Sequence, residues 1–306
     1  MEKVLFLGLG AVGATFASQF ADRGYPFRFA CDVKRKEEYG NRVISVNGKP
    51  YAFTFVTPQE ISEAPDFMFV AVKSYQLEKA LDLIEETVGP QTVIVSLLNG
   101  IDSEDLIGRR LGRERVLPAF VARMDSTKEG DSVVYSSPGQ IVFGEPDGKR
   151  SSRVERLERM LGQAGVLHEV SEKIFRGMWW KFMANVGLNQ AGAIMGAPYG
   201  HFQKYPPCLE VALSAMREVV AVAPHSGIDL GEEDIDKSVQ MLMGLNPKGK
   251  NSMLQDLEAG RKTEVETFAG KVCCLGAEAG IPTPVNRLFY DILKTLEWQR
   301  GGRTGI

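Results

Sequence analysis

Residues 4–13 read Val-Leu-Phe-Leu-Gly-Leu-Gly-Ala-Val-Gly, an apolar strand that runs directly into the motif Gly8-x-Gly10-x-x-Gly13. The amphipathic stretch that follows, residues 14–23, predicts a helix. Strand, glycine turn and helix in this order are typical of a dinucleotide-binding unit, in which the helix N-terminus binds phosphate groups. The alternative is a glycine-rich turn without a ligand. The predicted cofactor contacts in this turn are Gly8, Leu9, Gly10, Ala11, Val12 and Gly13.

The residues after the second predicted strand bear on the choice of cofactor. Asp32 follows that strand about 20 residues beyond the glycines, where an acidic side chain binds the adenosine ribose 2′-hydroxyl. This carboxylate favours NADH, because it would repel the 2′-phosphate of NADPH. Lys34, Arg35 and Lys36 follow at once and could hold that phosphate, or could form an ordinary solvated turn. The sequence therefore predicts NAD(H) or NADP(H), with Asp32 and Lys34 as candidate contacts.

The composition is that of a soluble globular enzyme. The 306 residues suggest two domains, each large enough to bury its own core. A net charge of −3 lacks the basic footprint of a protein that binds nucleic acid or an anionic membrane. No apolar run approaches the length of a membrane span, and residues 1–3 lead into a strand rather than a signal peptide. The four cysteines have no disulfide or zinc spacing, so we expect a reducing cytoplasm and no metal site.

Strands and helices alternate in the first half of the chain, whereas only helical periodicity follows Val170. Such alternation predicts a parallel, doubly wound sheet with right-handed crossovers. The predicted fold class is α/β, with an N-terminal Rossmann-type doubly wound sheet followed by an all-helical C-terminal domain. We place the dinucleotide-binding domain at residues 1–168 and the helical substrate and catalytic domain at residues 169–306.

Within this plan, the pattern also predicts several local elements. Asn47-Gly48 is a pair typical of the two-residue turn of a β-hairpin. The remaining expectations are hairpins of residues 42–46 with 52–56 and of 132–135 with 140–143, one strand over 116–121, one helix over 171–195, and a frayed tail at Gly301-Gly302.

Polar residues directly follow two buried strands of the predicted sheet. Lys73 stands after one of these strands and Asn99 after the next. In an open α/β sheet the ligand binds at the carboxyl ends of the strands, so both side chains would face the nicotinamide half of the cofactor. The alternative is that they are ordinary polar loop residues.

A polar stripe marks one face of the first C-terminal helix. Lys181, Asn185 and Asn189 stand at i, i+4 and i+8 among apolar neighbours. Asparagine is a mediocre helix former, and a solvated face usually carries Glu and Lys instead. The stripe therefore indicates a cleft, unless the two asparagines only satisfy neighbouring backbone groups. Ser252, at a predicted helix N-cap, and Glu264, in a predicted first turn, could likewise be no more than capping residues.

These residues, taken together, resemble the ketopantoate reductase (2-dehydropantoate 2-reductase) family over nearly the whole chain. The resemblance implies NAD(P)H-dependent reduction of ketopantoate to pantoate, for pantothenate and coenzyme A synthesis, with Lys181 as general acid and Glu264 supporting it. It also implies that Asn99, Asn185, Asn189 and Ser252 line the substrate site, with Lys73 near the nicotinamide and the carbonyl group. The motifs that carry it are Val-Ala-Val-Lys73-Ser-Tyr-Gln, Leu-Leu-Asn99-Gly, Trp-Lys181-x-x-x-Asn185-x-x-x-Asn189, Ser252-Met-Leu-Gln-Asp and Thr263-Glu264.

The chemistry agrees with that assignment of roles. Hydride transfer to a ketone builds negative charge on the carbonyl oxygen, so a cation that can donate a proton should face this oxygen. Lys181 can do both, and Glu264 would raise its pKa and fix its direction. The three histidines lie in no suggestive motif.

Two positions depart from the family pattern and keep alternatives open. Asp32 stands where NADPH-using members often carry an arginine or another phosphate-tolerant residue. Tyr199 replaces an asparagine that contacts substrate in some members. The alternatives are a related reductase of another small 2-oxo acid and a non-catalytic NAD(P)-binding sensor. A homodimer is also open, whereas nucleic acid and membrane are not expected as partners.

Overall fold

A computed structural model describes residues 1–301, which divide into two compact units, Met1–Phe175 and a second that begins at Arg176. The predicted domains, residues 1–168 and 169–306, remain a prediction. Of the tail expected to fray, Gly301 ends the last helix and Gly302 lies outside the described residues. No helix in residues 1–301 combines the length and apolar character that a membrane span requires.

The first unit contains strands and helices in alternation. Its strands are β1 (Val4–Leu7), β2 (Phe27–Ala30), β3 (Val43–Val46), β4 (Lys49–Ala52), β5 (Phe55–Val56), β6 (Phe67–Val70), β7 (Val93–Ser96), β8 (Val116–Leu117), β9 (Ala119–Met124), β10 (Thr127–Glu129), β11 (Ser132–Val134), β12 (Pro138–Phe143) and β13 (His168–Val170). Its helices are α1 (Ala11–Asp22), α2 (Val33–Tyr39), α3 (Ser74–Thr87), α4 (Ser103–Leu111) and α5 (Ser152–Gln163).

The central sheet of this unit has six parallel strands in the order β5-β2-β1-β6-β7-β8. Dinucleotide-binding folds have this strand order. From β1 the chain adds strands towards one edge of the sheet and then, starting with β6, towards the other edge, so the order of addition reverses between β1 and β6. β1 is apolar throughout because both of its faces are covered: Val4 and Phe6 belong to one buried cluster, Leu5 and Leu7 to another. The predicted α/β fold class is confirmed.

Both predicted hairpins differ from the structure. Asn47 and Gly48 do form a two-residue turn, with φ of +48° and +81°. A turn this short forces the partner strand to begin at Lys49, so β3 pairs with β4, and β5 joins β2 in the central sheet instead. The second predicted hairpin is absent, because β11 pairs with β10 and β3, whereas β12 pairs with β9 and β13.

Side-chain hydrogen bonds explain the second error. The Asp125 carboxylate accepts from the backbone N–H groups of Ser136 and Ser137, at 2.9 and 2.7 Å. These bonds draw the segment between β11 and β12 back towards the end of β9, so the two strands enter different sheets. The strand predicted over residues 116–121 is likewise divided, because Pro118 has no N–H group to continue the ladder between β8 and β9.

Every regular element from residue 174 to residue 301 is helical. The helices are α6 (Ile174–Ala184), α7 (Gln190–Met195), α8 (Tyr199–Lys204), α9 (Pro206–Val222), α10 (Glu232–Met243), α11 (Ser252–Glu258), α12 (Lys271–Ala279) and α13 (Pro284–Gly301), together with π-helical turns at Asn185–Asn189 and Glu266–Gly270 and a 3₁₀ turn at Ala223–Ser226. The single helix predicted over residues 171–195 is confirmed from Ile174 to Met195, where the helical backbone is continuous and the first π-helical turn lies between α6 and α7.

Candidate active site

The glycine turn between β1 and α1 needs glycine at two positions for steric reasons. Gly8 has φ of +105°, and a Cβ atom there would lie 2.6 Å from the Ala71 carbonyl oxygen. A Cβ atom on Gly13 would overlap the Gly8 carbonyl oxygen, so α1 packs directly against the turn. At Gly10 the nearest atom to a Cβ would be the Ala71 carbonyl oxygen at 3.8 Å, which leaves the space above this residue open.

That open space fits a dinucleotide. Gly10 is the N-cap of α1, and the first helical bond runs from the Ala14 N–H to the Gly10 carbonyl at 3.0 Å. The N–H groups before Ala14 have no carbonyl partner within the helix and carry the positive end of its dipole. A pyrophosphate can therefore approach the backbone of Gly10 without meeting a side chain.

Asp32 lies at the end of β2, as predicted, and has a second task as the N-cap of α2. Its carboxylate accepts from the Arg35 N–H at 2.7 Å and lies 3.8 Å from the Arg35 guanidinium. Lys36 of the basic triplet is engaged in an ion pair with Glu60. Lys34 is exposed, with no ion-pair partner within the described part of the chain. Of the three basic side chains, Lys34 is thus the one whose charge no carboxylate in the described residues neutralises.

Lys73 and Asn99 stand at the same edge of the central sheet. Val70 pairs with Ser96, and each candidate residue lies three positions beyond its strand. The Lys73 backbone N–H donates to the Gln76 side chain at 3.2 Å, at the start of α3. The two residues are half-buried, and they lie at the carboxyl ends of neighbouring strands, where open α/β sheets bind ligands.

A buried chain of hydroxyl groups runs beneath Asn99, and sequence analysis did not single it out. The hydroxyls of Ser96 and Ser103 lie 2.7 Å apart, and Ser103 donates to the Glu104 carboxylate at 2.9 Å. Burial raises the pKa of Glu104 to about 7. A carboxyl group that ionises near neutral pH therefore lies close to the predicted nicotinamide end of the sheet. In the sequence it is indistinguishable from an ordinary first-turn acid.

In the second unit, the polar stripe coincides with the first π-helical turn, which contains Asn185 and Asn189. A π-helical turn rotates each residue by less than the about 100° of an α-helix. Asn189 therefore stays closer to the direction of Lys181 than a continuous α-helix would allow. Lys181 and Asn185 are half-buried, and Asn189 is 9% exposed. Irregular helical turns of this kind occur frequently at functional sites.

Ser252 is not the N-cap that the sequence predicts. Asn251 caps α11 instead, accepting from the Leu254 N–H at 2.9 Å, and its amide also donates to the Leu188 carbonyl at 3.3 Å. Gly192 makes room for this amide, since a Cβ atom on it would overlap the Asn251 side chain. The capping explanation for Ser252 is therefore wrong. Its backbone lies next to the first π-helical turn, and its side chain is exposed.

Glu264 is also not a solvated first-turn acid. It is 5% exposed and precedes the second π-helical turn, and its backbone carbonyl accepts from the N–H groups of Thr267 and Phe268. Thr263, immediately before it, donates from its N–H to the Glu297 carboxylate at 2.7 Å. Glu264 is thus buried at the entry to a π-helical turn, directly after a residue that a tertiary contact holds.

One buried glutamine connects the two π-helical turns. Gln190 is 0% exposed, and its side-chain oxygen accepts from the Ala269 N–H at 3.0 Å. Its amide nitrogen donates to the Val186 carbonyl at 2.8 Å and to the Asn286 side chain at 3.3 Å. The segments that carry Asn189, Ser252 and Glu264 are therefore tied together through Gln190 and Asn251. The sequence signal that could have identified Gln190 and Asn251 is an amide side chain at a position where an apolar core residue is expected.

A buried carboxylate holds α6, the helix that carries Lys181. Asp234 is 0% exposed, and Arg176 donates to both of its oxygens, at 3.0 and 2.8 Å. The Trp180 indole N–H donates to the Asp234 backbone carbonyl at 3.0 Å. These bonds fix the residues on the N-terminal side of Lys181 against α10. The candidate residues thus form two groups: the glycine turn, Asp32, Lys34, Lys73 and Asn99 in the first unit, and Lys181, Asn185, Asn189, Ser252 and Glu264 in the second.

Comparison with known proteins identifies a family for both units. The family model described as ketopantoate reductase PanE/ApbA matches residues 4–148, and the model of the C-terminal part of the same family matches residues 173–297. A 2-dehydropantoate 2-reductase of Archaeoglobus fulgidus is 29% identical over 298 residues, which cover 97% of this chain and 98% of that protein.

Solved structures show the same fold. A PanE/ApbA family ketopantoate reductase from Ralstonia eutropha JMP134 is similar with a TM-score of 0.83 and 24% identity, over 97% of this chain and 99% of that one. A D-mandelate dehydrogenase, solved with NADH and anilino(oxo)acetate, has a TM-score of 0.86 at 21% identity, again over 97% and 99% of the two chains.

Proposed function

The chain belongs to the ketopantoate reductase family of NAD(P)-dependent oxidoreductases, and we propose that it reduces ketopantoate (2-dehydropantoate) to pantoate for coenzyme A synthesis. The observation that supports this most strongly is the linkage of three segments in the second unit. Gln190 and Asn251 tie together the segments that carry Asn189, Ser252 and Glu264. A buried acid and a polar stripe that includes a lysine are then available to one small polar substrate.

When bound, a reduced nicotinamide cofactor would supply the hydride needed at the keto carbon. Lys181 then has to donate a proton from Nζ to the carbonyl oxygen, whose negative charge develops during the attack. Glu264, buried and fixed in position, orients this ammonium group and keeps it protonated. Asn185, Asn189 and Ser252 offer hydrogen bonds to the substrate carboxylate and hydroxyl.

In the first unit, Lys73 and Asn99 follow the carboxyl ends of neighbouring strands, which supports a role beside the nicotinamide. We assign them to orienting the nicotinamide and the reacting carbonyl group. We propose that the protein acts in the cytoplasm, as the sequence leads us to expect, and the homodimer remains a prediction.

The substrate hydroxyl gives the decisive test of the proposed function. We expect kcat/KM for ketopantoate to exceed that for its deoxy analogue, 2-oxo-3,3-dimethylbutanoate, by at least about tenfold. A site built to bond a hydroxyl leaves buried polar groups unpaired when this hydroxyl is missing, which costs more than a missing methylene group. Steady-state rates with both substrates, followed by nicotinamide absorbance, measure this ratio.

Tyr199 is the reason to consider a substrate other than ketopantoate. Its ring packs against Gly249, where a Cβ atom would lie 3.1 Å from the ring, and its N–H donates to the Gly249 carbonyl at 3.0 Å. The ring thus contacts the segment that leads to Ser252. Equal rates with the two substrates, or no turnover of ketopantoate, would contradict the proposal and favour another small 2-oxo acid. Tight NAD(P)H binding without turnover of any oxo acid would favour the alternative function, a non-catalytic NAD(P)-binding sensor.

For the cofactor, we propose NADH on the strength of Asp32, against the NADPH expected from the family resemblance. We expect kcat/KM to be higher with NADH, and Asp32→Asn to narrow this preference by removing the repulsion of a 2′-phosphate. Lys34→Ala serves as the opposing variant, because Arg35 and Lys36 already face carboxylates. A clear NADPH preference in the wild type that is lost in Lys34→Ala would contradict the assignment to NADH.

A further inference from the structure

Lys128 on β10 lies against the glycine turn. Its Nζ donates to the Leu9 carbonyl oxygen at 2.6 Å. Two residues earlier, the Ser126 hydroxyl lies 2.8 Å from that of Thr15 and donates to the Ala11 carbonyl at 3.4 Å, both on α1. These bonds fix the segment that carries Lys128 beside the turn and the first residues of the helix. An ammonium group is thus held where the phosphates of a dinucleotide would bind.

The positive charge of Lys128 lacks a carboxylate within ion-pair distance among residues 1–301. Lys128 is half-buried as a residue, and its ammonium also faces the Tyr39 ring, whose centre lies 5.9 Å away. Burial lowers the pKa of Lys128, and Asp131 opposes this shift without reaching it as a partner. A partly desolvated cation with no counter-ion is costly to keep in a folded protein. A bound anion would supply the missing charge.

Arg42, the neighbouring cation, behaves differently. Its guanidinium lies 5.1 Å from the centre of the same Tyr39 ring, but it pairs with Glu38 and Asp131, at 3.3 and 3.4 Å. The fold therefore neutralises one of the two cations at this ring with its own carboxylates and leaves Lys128 without such a partner. The difference points to a ligand rather than to general surface charge.

We propose that Lys128 binds a phosphate group of the nicotinamide dinucleotide at the glycine turn. This inference rests on the proposed function, because it takes the first unit to bind that cofactor. Two groups of the cofactor offer the required chemistry: the pyrophosphate, which the open space above Gly10 admits, and the 2′-phosphate of NADPH. Lys128 stands 119 residues from Leu9 in the chain and in no motif, so the sequence gives no sign of its role.

The test is the affinity of Lys128→Met for each cofactor. Methionine keeps the length of the side chain but removes its charge and its donor. We expect Kd values from nicotinamide fluorescence titration to rise about tenfold, with Lys128→Arg recovering most of the affinity. An equal rise for NADH and NADPH assigns the contact to the pyrophosphate, and a rise confined to NADPH assigns it to the 2′-phosphate.

Lys79→Met provides the matched control, since Lys79 is exposed on α3 of the same unit and its loss should leave both Kd values unchanged. The ratio of Kd between Lys128→Met and wild type should also shrink as salt rises, which a merely structural effect would not do. A folded Lys128→Met protein with wild-type Kd for both cofactors would overturn the inference and leave the proposed function standing. Wild-type protein that binds neither cofactor would overturn both.

Discussion

Replacing Lys181 with alanine should lower kcat roughly 10²–10⁴-fold while leaving the affinity for NAD(P)H nearly unchanged. The variant removes the proposed proton donor to the carbonyl oxygen, and this contribution matters only as negative charge develops in the transition state. The candidate cofactor residues lie in the first unit, whereas Lys181 lies on α6. Steady-state kcat and a fluorescence titration with the reduced cofactor separate the two quantities.

Two companion variants test this expectation further. Lys173→Ala removes an exposed lysine that precedes α6 and should leave kcat unchanged. Glu264→Gln keeps Lys181 but removes the carboxylate, so we expect a smaller loss of kcat and an altered pH profile. A loss of thermal stability alone in Glu264→Gln would show that the glutamate is only structural. Near-wild-type turnover in Lys181→Ala would rule out this lysine as the general acid.

The largest effect on stability is expected for Gly13→Ala. The added methyl group would overlap the Gly8 carbonyl oxygen, so α1 and the turn must move apart. We expect the free energy of unfolding to fall by about 3 kcal/mol or more, at the upper end of what overpacking costs. Urea denaturation measures the fall, and cofactor affinity should be lost with it.

Gly10→Ala is the matched comparison for Gly13→Ala, because we expect it to lose cofactor affinity without losing stability. Its φ of −80° suits alanine, and the nearest atom to the new methyl group would be 3.8 Å away. The free energy of unfolding of this variant should therefore lie within about 1 kcal/mol of the wild-type value, because alanine is only a poorer N-cap than glycine. The affinity for NAD(P)H should nevertheless fall at least about tenfold, since the methyl group occupies the space that the pyrophosphate needs. Wild-type affinity in Gly10→Ala would show that no phosphate approaches this turn.

The sequence predicted the fold class because its strongest signals are local. An apolar strand, three glycines at fixed spacing and a helix contain the whole βα unit within about 20 residues. The change from alternating strands and helices to helices alone is equally visible along the chain. The candidate residues followed from the same kind of signal, since Lys73 and Asn99 directly follow apolar strands and the stripe of Lys181, Asn185 and Asn189 repeats every four residues.

Local sequence signals did not predict which strands pair or which residue caps a helix. The second predicted hairpin failed because Asp125 bonds to the segment between the two strands, and the cap of α11 is Asn251 rather than its neighbour Ser252. N-cap propensity does not distinguish Asn251 from its neighbour Ser252. In the structure the residue that caps α11 is the one with a tertiary contact, from the Asn251 amide to the Leu188 carbonyl.

The amino-acid sequence by itself thus determined the fold class and supplied a set of candidate residues, whose roles remain predictions. Only the tertiary structure placed Gln190 between two π-helical turns, buried Glu264, and set Lys128 at the glycine turn. The physical reason is that periodicity and propensity report interactions over a few residues. A buried amide or ammonium group takes as its hydrogen-bond partner whatever group the folded chain brings within about 3 Å, 79 residues away for Gln190 and 119 for Lys128.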